Sequence, residues 1–299
     1  MKKIAILGSS GMIGSGITRR LTELGHNITE FNRQRISVTG SNKFSQIKID
    51  SVSDFKSLEV LTGFDYIINT LGVIRHKIDS SNVDQVENAI IVNGVFPIKL
   101  DQFGKESSTK VIQVGTDCVY SGNKGSYFEN DLFDPTDIYG QSKVIGETQL
   151  ESTMNLRVSV IGKELKTKLE LLEWTLHQSP NTEVSGYVNH VWSGVTPFQL
   201  GQIIDGLIRN KSFAAGTQHL VPNNKLSKFE LIKLISGFIP ERHLVIKEVE
   251  TDIAVDRSLA TLNNSRNKAI WADAGYDQVP SIQDMLREYM EWTGIDCSH

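Results

Sequence analysis

Cysteine is nearly absent. Cys118 and Cys297 are the only two in 299 residues, far apart and without metal-ligand spacing, which argues against a disulfide framework and against a metal site. A long hydrophobic run is missing as well, since nothing reaches the roughly 18 apolar residues that span a membrane. Nor does charge of one sign prevail. The formal net charge is −4 and the pI is near 6.0, so there is no basic footprint for nucleic acid. Internal repeats, low-complexity tracts and linkers are lacking too. The opening residues, MKKIAILG, read as a strand where a secretory leader would have its charged and apolar segments, so a cytoplasmic location is expected.

What is present is an ordinary globular composition, 39% hydrophobic and 22% charged, in a chain long enough for one extended domain or two smaller ones. Strand-like and helix-like stretches alternate through the first half. Strands are predicted at KKIAIL, NITEF, FDYIINTL, KVIQVG and NLRVSVI, and Ile13, Ile17, Leu21 and Leu24 follow helical spacing between the first two. Near-continuous apolar runs such as YIINTL suit strands covered on both faces. This is the βαβ rhythm of an α/β fold with a doubly wound parallel Rossmann sheet. Further helices are predicted at KTKLELLEWTLHQ, TPFQLGQIIDGLIRN, SKFELIKLISGFI and SIQDMLREYMEW, with Thr196 as an N-cap before Pro197. The expected division is a dinucleotide-binding domain over 1–160 and a smaller C-terminal α/β substrate-binding lobe over 161–299, with a segment near 187–210 returning to the first domain.

Gly8, Gly11 and Gly14 in AILGSSGMIGSGI follow the first strand and open the first helix. Glycine there lets the backbone approach a pyrophosphate, whose charge faces the free N–H groups of the helix N-terminus. Ser10, Met12 and Ile13 belong to the same cofactor-binding turn. The end of the second strand should select the dinucleotide. An NAD site usually places an acidic residue there, whereas ITEFNRQR offers Asn32 and Arg33, with Arg35 close by. A guanidinium matches a 2′-phosphate by forked hydrogen bonds, so NADPH is favoured; NADH stays open through Glu30. Asp50 reads either as a contact to the adenine or as the cap of a helix starting near Asp54.

Tyrosine followed four places later by lysine occurs twice, as Tyr120–Lys124 and Tyr139–Lys143. The first pair runs through SGNKG, which is turn chemistry and puts the two on no common face. The second opens YGQSKVIGETQL behind a cap at Asp137, so Tyr139 and Lys143 are neighbours one helical turn apart. A single lysine suffices in magnitude. Bringing a phenol from about 10 towards 7 takes roughly 4 kcal/mol. A unit charge about 4 Å away at an effective dielectric near 20 supplies about that. Thr116, at the end of the fifth strand, adds a hydroxyl for a substrate carbonyl. His190 in NHVWSG reads as a substrate contact or as a structural histidine. Arg75, His76 and Lys77 follow the fourth strand on the ligand side of the sheet and read either as a solvated basic loop or as a contact to the substrate's phosphates or sugar; within the cluster Arg75, with its fork, is the best individual candidate for the diphosphate.

The residues GSSGMIG, NTLG at 69–72, Asn93 in NAIIVNGVFP, the long stretch TDCVYSGNKGSYFENDLFDPTDIYGQSK and LRVSVIG resemble an extended short-chain dehydrogenase/reductase, and within that superfamily the dTDP-4-dehydrorhamnose reductase family. The resemblance implies Thr116, Tyr139 and Lys143 as the catalytic set, with Lys143 also on the nicotinamide ribose. It implies Gly8, Gly11 and Gly14 at the pyrophosphate and Leu71 and Gly72 along the cofactor cleft, where Asn93 is also expected; Thr116 and Asp117 are expected at the substrate with Arg75. Two departures stand near the expected sugar nucleotide: Gly115 replaces a more usual serine, and VIRHK at 73–77 differs from the commonest family sequence. Sister 4,6-dehydratases carry Thr-Asp-Glu, where this chain has Thr116, Asp117 and Cys118, so dehydration is disfavoured. The expectation is NADPH-dependent reduction of the C4 keto group of a nucleotide-linked 4-keto-6-deoxyhexose. The rivals are an epimerase or epimerase/reductase, and a non-catalytic regulatory subunit. A homodimer is compatible with all three.

Overall fold

A computed structural model of the chain describes residues 2–32, 37–40, 44–45, 55–147, 150–164 and 168–295. Its first half contains β1 (Lys3–Leu7), α1 (Met12–Glu23), β2 (Asn27–Phe31), β3 (Phe44–Ser45), β4 (Tyr66–Asn69), α2 (Val83–Ala89), α3 (Phe96–Ser107), β5 (Lys110–Val114), α4 (Ile138–Glu147) and β6 (Met154–Arg157). There follow α5 (Leu171–Leu176), β7 (Glu183–Tyr187), β8 (His190–Trp192), α6 (Pro197–Arg209), β9 (Gly216–His219), β10 (Leu226–Ser227) and α7 (Lys228–Ser236). The last elements are β11 (Val245–Val249), β12 (Val255–Asp256), α8 (Asn264–Asp273) and α9 (Ile282–Thr293).

Seven described strands form one parallel sheet in the order β3-β2-β1-β4-β5-β6-β9. The order reverses between β1 and β4, which opens a crevice at the carboxyl ends of the strands. Register brings those ends level: Leu7 lies opposite Phe31 and Asn69, and Asn69 opposite Gln113. Gly8, Thr70 and Gly115 therefore leave the sheet along one edge. Every residue of β4 is buried, as the apolar run predicts for a strand covered on both faces. Ile17 and Leu21 of α1 are fully buried, each contributing about 1.5–3 kcal/mol. Leu24 falls outside that stripe because it is the C-cap and stands partly in solvent.

Helix α6 packs against α1, where His26 Nε2 lies 2.8 Å from Asp205 Oδ1. Beyond the large sheet, β10-β8-β12 and β11-β7 form two small sheets. One predicted helix is shorter than its pattern. It begins only at Leu171, because the Glu164 carboxylate accepts the N–H groups of Leu169 and Glu170, both at 2.8 Å, and holds that stretch out of the helix. Thr196 stands at the N-cap of α6 as predicted, but its hydroxyl bonds Gln199 Oε1 and caps no backbone N–H.

Candidate active site

The first turn after β1 is shaped by glycine. Gly8 has a φ of +85°, and its carbonyl lies so close to α1 that a Cβ on Gly14 would come within 2.2 Å of it. Gly11 is different, because a Cβ there would meet the Gly8 oxygen at an ordinary 3.4 Å. It is the N-cap of α1, and no side chain caps that end. The N–H groups of Met12 and Ile13, in the first turn before Ser15 N bonds Gly11 O at 2.8 Å, are thus left for an anion, which is the fit a dinucleotide pyrophosphate requires. Asn32 Nδ2 donates to Ser9 Oγ at 2.9 Å and ties the end of β2 to this turn. Glu30 is unavailable to a ribose. Its carboxylate accepts from Ser37 Oγ, Val38 N and Thr39 Oγ1 at 2.9 Å each, and from Thr39 N at 3.3 Å. Arg33, Arg35 and Asp50 lie outside the described residues.

The segment after β4 forms the opposite wall. Asn93, in a π-turn joining α2 to α3, accepts from Val73 N at 2.8 Å and donates to Val73 O and Ser142 Oγ at 2.9 and 3.0 Å. Ser142 Oγ donates in turn to Tyr139 O at 2.8 Å. One buried amide therefore joins the loop after β4 to the helix of the tyrosine. Lys143 Nζ donates to Leu71 O at 3.4 Å, and a Cβ on Gly72 would stand 3.2 Å from that nitrogen. Leu71, Gly72, Asn93 and Lys143 meet at one place.

Thr116 and Tyr139 come together on the substrate side. The Asp137 carboxylate caps α4, accepting from Gly140 N at 2.8 Å, and so sets where Tyr139 starts the helix. The start of α4 packs on the segment after β5, where a Cβ on Gly140 would stand 2.3 Å from Cys118 O, and this sets the Tyr139 phenol beside the segment of Thr116. Thr116 Oγ1 accepts from Cys118 N at 3.2 Å and donates to Asp117 Oδ1 at 3.3 Å. Electrostatics here differ from what the spacing predicts. Burial, followed by the negative side of Cys118, pushes the Tyr139 phenol above its ordinary range, against the lowering effect of Thr116. Lys143 is itself driven below the usual lysine range by burial. The phenol therefore holds its proton firmly. Cys118 does likewise: burial and then the Asp117 carboxylate push its thiol up to about 12.

The other tyrosine pair is structural. Tyr120 is fully buried, and its hydroxyl donates to Phe128 O and accepts from Arg157 Nη1, both at 2.9 Å. Lys124 leaves in another direction, to Asp131 at 2.5 Å.

A cavity of about 240 Å³ adjoins Asp117 and Cys118, lined also by Met12, Ser159, His190, Trp192, Lys228 and Arg257. Lys228, at the start of α7, has its ammonium pushed down by burial, with the Asp117 charge opposing. Arg257 Nε donates to Tyr120 O at 2.9 Å. Neither cation was singled out from the sequence, because each comes from a distant element with no motif around it. His190 reaches the cavity, with Nε2 at 2.9 Å from Thr251 Oγ1 and 3.2 Å from Ile253 O. Arg75 does not line it. Its Nε is 2.9 Å from Asp137 Oδ2, and its side chain is 66% exposed. His76 is engaged with Glu170 at 3.2 Å.

Among the described residues no cluster of His, Cys, Asp or Glu is placed to hold a metal ion, and no helix is long and apolar enough to cross a membrane.

This fold and this cleft define a Rossmann-type protein with a tyrosine and a lysine on one helix beside the switch point. The model of the family described as RmlD substrate binding domain matches residues 1–166, and the chain belongs to that family. The spore coat polysaccharide biosynthesis protein SpsK of Bacillus subtilis is 25% identical over 162 residues, which cover 51% of this chain and 50% of SpsK. The chain spans about half the length of the curated relatives it matches. The dTDP-4-dehydrorhamnose reductase of Bacillus anthracis, solved in complex with NADP, superposes with a TM-score of 0.74 at 18% identity, over 98% of this chain and 100% of that one. The Bordetella bronchiseptica enzyme WbmG, solved with NAD and UDP, superposes with a TM-score of 0.72 at 16% identity, over 98% and 95%. At such identities the likeness establishes the shared fold.

Proposed function

We propose that this protein reduces the C4 keto group of a nucleotide-linked 4-keto-6-deoxyhexose with NADPH, supplying deoxysugar precursors for polysaccharide. One observation carries the reading. The start of α4 packs tightly on the segment after β5, so Tyr139, with Lys143 one turn behind it, stands beside Thr116 and the cavity-lining Asp117 and Cys118. Family membership and the complexes of fold relatives with NADP, NAD and UDP support a nicotinamide and a nucleotide sugar as ligands.

The uncapped start of α1, with Gly8, Ser10, Gly11 and Gly14, would hold the pyrophosphate. Leu71, Gly72, Asn93 and Lys143 would line the nicotinamide side. NADPH is preferred because Glu30 is fully engaged by residues 37–39, while the sequence places Asn32 and Arg33 next after β2. A bound reduced nicotinamide supplies the hydride that adds to the carbonyl carbon. Thr116 donates a hydrogen bond to the carbonyl oxygen and polarises it. Tyr139 gives that oxygen its phenolic proton as the negative charge forms. A raised phenol suits this direction, since the proton stays in place until an alkoxide, a stronger base, is there to take it. Lys143 then stands one turn from the phenolate left behind. Asp117 would contact the sugar, and Lys228 and Arg257 are better placed than Arg75 for the diphosphate because they line the cavity. In domain terms, residues 1–160 with α6 and β9 would serve the dinucleotide, and the rest of 161–299 the sugar nucleotide.

Epimerisation at the carbons next to the keto group needs a base beside them. The Cys118 thiol, at about 12, is a poor one, which favours simple reduction. The test is NADPH consumption on dTDP- and UDP-linked 4-keto sugars without a partner protein, with products identified by NMR. Consumption with a new C4 hydroxyl is expected; no turnover on any of them would leave a non-catalytic binding protein as the better account.

A further inference from the structure

We propose that Glu147 is the positioning residue of Lys143, keeping its ammonium charged inside the protein so that it serves the ribose and the phenol. The proposal rests on the role given to Lys143 above, and its test is independent of sugar reduction.

Lys143 is in an awkward place for a cation. It is 5% exposed, and its hydrogen bond to Leu71 O, at 3.4 Å, is long for an ammonium with three protons to donate. Among the described residues no carboxylate lies in ion-pair contact with it. Burial pushes such a group towards the neutral amine, which would no longer offer charge to a phenolate.

Glu147 answers that need from one turn further along α4, on the same face. Its side chain is 3% exposed, and its Oε2 accepts both Arg157 Nε at 2.9 Å and Arg157 Nη2 at 2.6 Å. A guanidinium does not lose its proton, so Arg157 is a permanently charged partner for this carboxylate. Balancing Arg157 alone would favour a forked pair using both oxygens. Here both N–H groups go to one oxygen, and Oε1 is buried without a hydrogen-bond partner. That free oxygen lies by Gly115, where a Cβ would stand 3.0 Å from it, immediately before Thr116. The carboxylate thus directs unshared negative charge towards the catalytic end of the sheet.

The other groups around Lys143 do not replace it. On α4, Tyr139 is a protonated phenol; from the segment after β5 come the protonated thiol of Cys118 and the Asp117 carboxylate, which burial pushes up. From β6, Arg157 stands behind Glu147. On β9, His219 Nε2 is 2.8 Å from Arg157 Nη1, and burial with that guanidinium pushes the imidazole down to about 4, so it adds no charge at neutral pH. The Glu147 charge is the largest influence opposing the burial of Lys143. Removing it lowers the pH at which the ammonium loses its proton.

The experiment reads the protonation of Lys143 directly. The unliganded protein is acetylated with trace acetic anhydride across a pH series, and peptide mass spectrometry gives the midpoint of reactivity for each lysine. In Glu147→Gln, which keeps an acceptor for Arg157 but removes the charge, the Lys143 midpoint should fall by about one unit or more. Lys2 and Lys124, on the surface, serve as references and should not move. Glu147→Asp, which restores the charge, should recover most of the shift. An unmoved Lys143 midpoint in Glu147→Gln overturns the proposal. Where circular dichroism shows that Glu147→Gln does not fold, the double variant Glu147→Gln with Arg157→Gln, which leaves no unpaired buried guanidinium, decides: a lowered Lys143 midpoint supports the proposal, and an unmoved one overturns it. No nucleotide sugar enters the measurement, so a failed reductase assay leaves this result readable, and an unmoved midpoint leaves the reductase reading standing.

Discussion

Arg75 Nε lies 2.9 Å from Asp137 Oδ2, the carboxylate that caps the helix carrying Tyr139 and Lys143. The first cation after β4, which the sequence directs to a diphosphate, is engaged by the protein's own helix cap. Because the arginine is 66% exposed, the pair contributes only about 0–1 kcal/mol.

Arg75→Ala should therefore change the KM for the sugar nucleotide by less than about threefold, while Lys228→Ala or Arg257→Ala should raise it by about tenfold or more. Steady-state kinetics at saturating NADPH decides. A large effect at Arg75 alone would return the diphosphate to the loop after β4.

The two tyrosine pairs should separate cleanly. Tyr139→Phe removes the transferable proton and should lower kcat by orders of magnitude while NADPH still binds. Tyr120→Phe should leave turnover within a few fold. It should cost stability instead, about 1–3 kcal/mol, because Phe128 O and Arg157 Nη1 each lose a buried partner. Kinetics and denaturant unfolding of both variants make the comparison.

How much of this was legible in the sequence varies with the distance over which the cause acts. The uninterrupted apolar run of β4 gave away a strand covered on both faces, and the Asp137 cap with Tyr139 and Lys143 on one turn could be read because all three lie within seven residues. The start of α5 could not, since Glu164 overrides a good helical pattern by taking two N–H groups. Lys228 and Arg257 reach the cavity from α7 and from beside β12, and Arg75 pairs across 62 positions. No local spacing encodes such meetings. The burial that pushes the phenol up is a tertiary property, which no local spacing encodes.

Cofactor choice offers a paired test. Arg33→Ala should weaken NADPH much more than NADH. Glu30→Gln should leave that preference unchanged, since its carboxylate is turned to residues 37–39. Fluorescence titration with both dinucleotides checks this, and a change of preference in Glu30→Gln would contradict it.

Acid should act through His219. Burial and then Arg157 hold its imidazole at about 4 in the folded protein, against an ordinary 6.5. Between those values the unfolded chain binds the extra proton and the folded one does not, so stability falls as pH is lowered through that window. In His219→Gln the same pH series should give a shallower fall in the denaturant midpoint.

The most direct measurement of the central claim follows the hydride itself. The protein is incubated with a dTDP-linked 4-keto-6-deoxyhexose and NADPH deuterated at the transferred position, and the product is examined by NMR. The account predicts stoichiometric NADPH oxidation, deuterium on C4 and a new C4 hydroxyl, all lost in Tyr139→Phe. NADPH oxidation unaffected by Tyr139→Phe, or deuterium on any other sugar carbon, would contradict it.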